Sequence, residues 1–346
     1  MTRLDLSALS APVLAAPMAG GPSTPELVAA TASAGGLGFL AGGYRSAIDL
    51  SAQITATREL TDAPFGVNVF VPSTTPDPHP ALRAHVASYR SALAGEAERL
   101  HVRLPEPDWA DDDDWDAKIG LLTLVDPVPV VSFTFGVPGW DIVDALRDAG
   151  TTVLVTVTSP EEGRAARTVG ADAVIVQGFE AGGHRSTHRV ADEPNDYDHL
   201  GLLPMVRDVG LPMVAAGGVT TAGDVQRAQA AGAVAVQVGT AFLLCHEAGT
   251  SPAHRMGLSD PGLRSVVTRA FSGRPARGLA NRFVQTFDGQ APAAYPQVDQ
   301  ITKPLRAAAA RDGDIGGVSL WAGSGWRAAR EEPAADVVRR LAGQGS

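Results

Sequence analysis

A closed parallel (β/α)8 barrel, a TIM barrel of the α/β class, is the fold this sequence predicts. Eight short, nearly all-apolar runs alternate with helical stretches, and glycines gather where the last two runs end. Composition agrees: hydrophobic residues make up 45% of the 346, charged residues 19% and aromatics only 5%, which suits tightly packed βα units better than an all-β sandwich. An open doubly wound sheet shares the alternation, but the glycine placement favours the closed barrel.

The strands are expected at residues 13–17, 37–41, 65–71, 128–135, 153–158, 173–178, 212–216 and 234–239. Helices are expected near 24–34, 46–60, 79–99, 139–149, 160–169, 199–209 and 221–231. Several end in a glycine suited to a left-handed C-cap, as at Ala149-Gly150, Val169-Gly170 and Ala231-Gly232. Gly36-x-Gly38-x-x-Ala41 has dinucleotide-loop spacing but follows a helix and runs into a strand, so it reads as the turn into strand two.

Two stretches break the repeat. Residues 72–127, after strand three, exceed one crossover, and the four aspartates at 111–114 read as a solvated helix start or loop. Residues 1–250 are expected to form the barrel with this insertion. Residues 251–346 should form a helical and loop extension over the barrel mouth and not an independent domain.

The formal net charge of −10 argues against nucleic acid or an anionic membrane as a partner, so any phosphate must be held locally. The single cysteine, Cys245, allows neither an intramolecular disulfide nor a zinc-type cysteine cluster. With no secretory pattern and no apolar run of membrane-spanning length, the chain is expected to be soluble and cytoplasmic.

Strand seven ends Val214-Ala-Ala-Gly217-Gly218-Val-Thr-Thr, with a helix starting near Thr221, and strand eight ends Gln237-Val238-Gly239-Thr240. Either loop alone reads as a tight turn. Two adjacent glycine loops at strand C-termini point to a phosphorylated ligand, because close backbone approach requires a missing Cβ. After strand six comes Gln177-Gly-Phe-Glu180-Ala-Gly182-Gly183-His184. Here Gln177 could meet a polar ring edge, the glycines could lie against a flat ligand, and His184 could act as a base. His188 and His199 are expected to face solvent, and a metal site on His184 and His188 is disfavoured because the segment reads as a loop.

Together these residues resemble the nitronate monooxygenase (2-nitropropane dioxygenase) family. Ala16-Pro17-Met18-Ala19-Gly20-Gly21, Gly66-Val67-Asn68, the Glu-Ala-Gly-Gly-His184 stretch, Ala216-Gly217-Gly218-Val219 and Gln237-Val-Gly-Thr240 follow that family's order, from about residue 12 to the segment at Trp321. The resemblance implies FMN held by Pro17, Met18, Asn68, Gln177, Gly182, Gly183, Gly217, Gly218, Gln237, Val238, Gly239 and Thr240. It implies His184 as the active-site histidine, and Tyr295 and Lys303 on the substrate side. The implied reaction takes a small-molecule alkyl nitronate, or a nitroalkane, with O2 to a carbonyl compound and nitrite. Thr134 stands where many members carry histidine, and a threonine is no imidazole base. The rival readings are an NAD(P)H-dependent flavin reductase of quinones or enoyl thioesters, a non-redox barrel binding a phosphate ligand, and an FMN-binding module.

Overall fold

The structure, a computed structural model, describes residues 3–73 and 79–344. Its first six strands are β1 (Val13–Ala15), β2 (Leu37–Ala41), β3 (Gly66–Phe70), β4 (Val130–Thr134), β5 (Thr152–Val157) and β6 (Ala173–Gln177). A two-residue strand, β7 (Gly183–His184), lies outside the barrel, which resumes with β8 (Met213–Ala216) and β9 (Ala233–Val238). Parallel pairing of β9 with β1, Val236 opposite Val13, closes the ring. The eight expected runs are these eight barrel strands, with ends shifted by a residue or two.

Their continuous apolar character follows from burial on both faces. Leu14, Phe39, Leu154, Ile175 and Val214 pack with one another inside the barrel. Their neighbours Val13, Leu40, Val153, Val174 and Ala215 pack outward against helices. A 3-10 turn at Leu6–Ala8 adds Leu6 to the interior cluster, a role the sequence did not reveal.

Helices α1 (Pro25–Ser33) and α2 (Ala47–Leu60) begin the outer layer. Gly38 lets α1 lie against β2, since a Cβ there would stand 2.5 Å from the Val28 Cα. The insertion supplies α3 (Pro80–Ala92) and α4 (Ala94–Arg99), broken at Leu93 where one helix was expected. It ends in α5 (Trp115–Gly120) and a π turn at Leu121–Val125, which together form the crossover to β4 and bury Leu121 and Leu122. The aspartate run is not simply solvated. Asp113 pairs with buried Lys118 at 2.8 Å and accepts the Tyr44 N–H at 2.9 Å, while Asp114 accepts that of Ala47 at 2.7 Å. Two carboxylates therefore fasten the insertion to the loop before α2 and to the first residue of that helix.

The remaining crossovers are α6 (Trp140–Asp148), α7 (Pro160–Thr168), α8 (His199–Val206) and α9 (Ala222–Ala230). Side chains of Thr24, Ser46, Ser159, Asp198 and Thr221 cap the starts of α1, α2, α7, α8 and α9 by accepting a backbone N–H. Beyond β9 come α10 (Pro252–Leu258), the hairpin β10 (Ser265–Thr268) and β11 (Ala276–Leu279), α11 (Arg282–Phe287), α12 (Gln297–Arg311) and α13 (Ala334–Leu341). Phe271, Phe283, Ile301 and Leu305 of this tail share a second core with Tyr89 and Leu93 of the insertion. By contrast, α13 returns to the barrel: Val337, Val338 and Leu341 enter the outer core beside α1 and α9, completing the helical ring. No helix of the described residues is long and apolar enough to cross a membrane.

Candidate active site

A cavity of about 460 Å³ lies at the C-terminal ends of the barrel strands. That end carries ligands in barrel folds because the βα loops converge there. Its barrel wall includes Pro17 and Met18 after β1, Asn68 on β3, Thr134 on β4 and Gln177 on β6. Gly182, Gly183 and His184 line it, as do Gly217, Gly218, Gln237, Val238, Gly239 and Thr240. The tail contributes Lys303 and Arg306 of α12, and Trp321. Tyr295 stands behind His184, their ring centres 5.7 Å apart.

One end of the cavity is glycine backbone. Gly217 and Gly218 adopt φ of +100° and +72°, and a Cβ on Gly217 would meet the Ala181 nitrogen at 2.8 Å. A side chain at Gly218 would overlap the Glu180 carboxylate. Thr240 accepts the Gly323 N–H at 2.9 Å, which leaves its own hydroxyl hydrogen to donate. The start of α9 is already taken as an anion seat: Asp224 accepts the N–H groups of Thr220 and Thr221 and both hydroxyls. The expected convergence on that helix is thus reduced to the glycine turn before it.

The amides of the wall differ in what they have left to offer. The Gln177 Nε2 donates to the His184 carbonyl at 3.1 Å and to Ser186 Oγ at 3.0 Å, and its Oε1 accepts the Ser186 N–H at 2.9 Å. It therefore braces the histidine strand, a role that its position alone did not suggest. The Asn68 Nδ2 faces the Ser132 carbonyl, Ser132 Oγ and Thr134 Oγ1 at 3.1, 2.9 and 2.9 Å. The Gln237 Nε2 is buried without a partner among the described residues, an unmet donor on the cavity wall.

The other end is built from side chains. His184, expected on a loop, lies on β7, which pairs antiparallel with β11, Ala276 opposite His184. Its Nε2 is 2.8 Å from Ser272 Oγ, which itself lies 3.3 Å from the Arg274 carbonyl. If Ser272 donates to that carbonyl, Nε2–H donates to Ser272 and the Nδ1 lone pair is left available. Phe135 and Trp321 complete the surround at 5.5 and 5.7 Å between ring centres. The half-buried imidazole lines the cavity. Burial, then the charges of Arg274 and Arg306, push its pKa down to about 3, so it is neutral at physiological pH. Arg306 pairs with buried Asp299 at 2.7 Å.

His188 and His199, expected to face solvent, do not. His199 is buried with its Nδ1 4.0 Å from Glu180, and half-buried His188 bonds the Thr156 carbonyl at 3.1 Å. Sequence reasoning gave no role to Tyr44, Phe135, Ser272, Arg274 or Arg306. For the Ser272-Gly273-Arg274-Pro275 turn, the Gly and Pro signal a bend, but nothing local shows that the bend reaches the barrel.

The chain is similar to known proteins over nearly its whole length. The family model described as nitronate monooxygenase matches residues 3–344. A nitronate monooxygenase of Pseudomonas aeruginosa is 39% identical over 97% of this chain and 96% of its own. The solved nitroalkane oxidase from Streptomyces ansochromogenes is 49% identical with a TM-score of 0.92, covering 98% of this chain and 96% of that one. FabK from Thermotoga maritima is 28% identical with a TM-score of 0.74, covering 98% and 94%. With the barrel, the paired glycine loops and the Glu180-to-His184 stretch all inside the matched span, the chain belongs to the nitronate monooxygenase family.

Proposed function

We propose that the protein is an FMN-dependent oxidoreductase that converts alkyl nitronates, and nitroalkanes less readily, to a carbonyl compound and nitrite with O2. The observation that carries this reading is a single cavity with a glycine cradle at one end and a neutral imidazole near cations at the other. The residues fit a flavin mononucleotide. Gly217, Gly218 and the Thr240 hydroxyl would seat its phosphate, and the unmet Gln237 amide would donate to its ring system. Pro17, Met18, Asn68 and Gly182 would form the wall around it. When bound, the flavin supplies the redox chemistry.

The chain's own residues orient substrate and manage protons. His184, held by Ser272 and β11, presents a fixed ring to the cavity. An imidazole with a pKa near 3 is a weak proton acceptor, because general bases work best near the operating pH. A preformed nitronate needs no proton removed and is drawn by the cations of Lys303 and Arg306, of which Asp299 offsets one. A second reading, with neutral nitroalkane as the main substrate, is favoured by the likeness to nitroalkane oxidase. In it, His184 removes the α-proton.

The test is anaerobic mixing of the FMN-loaded protein with ethylnitronate, nitroethane and NADH. We expect bleaching at least about tenfold faster with ethylnitronate than with nitroethane. Equal or faster bleaching by nitroethane would establish the second reading. Fastest bleaching by NADH would make the protein a reductase, and failure to take up FMN would remove all three.

A further inference from the structure

A buried cation without a counter-ion stands behind His184. Arg274 is 2% exposed, donates from Nη1 to the Thr187 carbonyl at 2.7 Å, and pairs with no carboxylate among the described residues. Its Nε has no partner. The guanidinium lies 4.0 Å from the ring centre of Phe135 and 5.4 Å from that of Tyr295. Both rings are in edge contact with the imidazole. Phe135 reaches this position at φ +76°, a conformation that bulky residues rarely adopt. Burying an unpaired charge and straining an aromatic residue are both unfavourable.

We propose that Arg274 is a specificity-determining residue whose unpaired charge, stacked on Phe135 and Tyr295, biases the cavity beside His184 towards an anionic substrate. The inference rests on reading the cavity as a nitronate site. Phe135 and Tyr295 separate the guanidinium from His184, so Arg274 is assigned a field effect and not direct contact with substrate. Between buried groups a charge acts over several ångströms with less screening than at the surface. The same turn also places the imidazole, since the Arg274 N–H lies 3.4 Å from the Ser272 Oγ that bonds His184. The charged groups that act on Arg274 are Glu162, which partly offsets it without pairing, and Arg269, with Tyr295 and Tyr44 as the neighbouring titratable groups; on the α12 side stand Lys303 and Arg306, the latter paired with Asp299. Burial, Arg274 and Arg306 act together to keep the imidazole uncharged, so the positive field is not duplicated by His184 itself.

The experiment compares FMN-loaded wild type with Arg274→Met and Arg274→Gln, the second able to keep a donor towards the Thr187 carbonyl. Nitrate, a planar anion that no step consumes, is titrated against the flavin spectrum, and KM and kcat are measured for ethylnitronate and nitroethane. We expect nitrate Kd and ethylnitronate KM to rise about tenfold, nitroethane KM to move less than about twofold, and the acid limb of kcat/KM to shift to higher pH. Unchanged nitrate and ethylnitronate constants in either folded variant overturn the proposal. So does an equal loss for nitroethane, which would mark a purely structural role. Absence of ethylnitronate turnover in wild type would instead sink the functional reading, while the nitrate titration still decides the role of Arg274.

Discussion

The two ends of the cavity are made of different materials. The glycine end is backbone from loops that directly follow β8 and β9, so each part lies within a few residues of the strand that places it. The imidazole end is assembled from β7, the turn after β4 that carries Phe135, the tail hairpin, α12 and Trp321, with His184 and Ser272 separated by 88 positions. The first depends on local backbone conformation; the second depends on packing between distant segments. They should therefore respond differently to substitution, and the separation can be tested from either side.

The largest effect is expected at the imidazole. His184→Gln should reduce flavin bleaching by nitroethane by up to about 10²-fold, the low end of the usual worth of a positioned base because a ring with a pKa near 3 is a weak acceptor, and bleaching by ethylnitronate much less, with FMN affinity unchanged. A matching loss of FMN affinity would mean that the two ends are not separable. The same side chain carries a pH signature. Its folded pKa of about 3 lies below the ordinary 6.5, so the unfolded chain binds more protons between those values. Its contribution is fully present above pH 6.5 and is lost as the pH falls towards 3. Buried His254, with a pKa near 4, adds in the same direction. Thermal midpoints measured from pH 6.5 down to 4 should fall less steeply for His184→Gln than for wild type. Parallel curves would show that the imidazole is not held neutral by the fold.

At the glycine end the effect should be smaller and confined to the cofactor. Gly217→Ala forces a side chain into φ +100° with its Cβ 2.8 Å from the Ala181 nitrogen. The strain is about 1–3 kcal/mol, enough to weaken FMN by about tenfold or more in equilibrium dialysis. At saturating FMN, ethylnitronate turnover should return to within about twofold of wild type. Turnover that stays low would show that the turn shapes the substrate side as well.

This division also explains what the sequence made legible. The barrel strands, the glycine turns and the Gln177-to-His184 stretch were readable because their signals are local: continuous apolar runs, missing Cβ atoms and a histidine beside two glycines. Arg274 was not placed, and Trp321 only as part of a tail expected over the barrel mouth, because which tail side chains reach the barrel is set by the second core around Phe271 and Phe283. Asp113 was misread for the same reason. Its partner Lys118 is close in sequence, but the Tyr44 N–H that it accepts is not. At α9 a capping carboxylate, Asp224, was hidden in an ordinary helical pattern and removed an anion seat that spacing alone had allowed.

Thr134 lies between the two regimes, and its substitution should give the smallest effect. It sits at the C-terminal end of β4, lines the cavity and accepts the Asn68 Nδ2 at 2.9 Å. Thr134→Val keeps the shape and removes that acceptor. The Asn68 amide has two N–H groups and keeps the Ser132 carbonyl and hydroxyl at 3.1 and 2.9 Å, so no buried donor is left unmet. The loss should therefore stay within about 1 kcal/mol, the net worth of a single neutral hydrogen bond. FMN affinity and ethylnitronate KM should change by no more than a few fold, read by dialysis and steady-state rates. A hundredfold rise in KM with FMN affinity intact would instead place the hydroxyl on the substrate, and would move the end of β4 from the cofactor wall to the imidazole end.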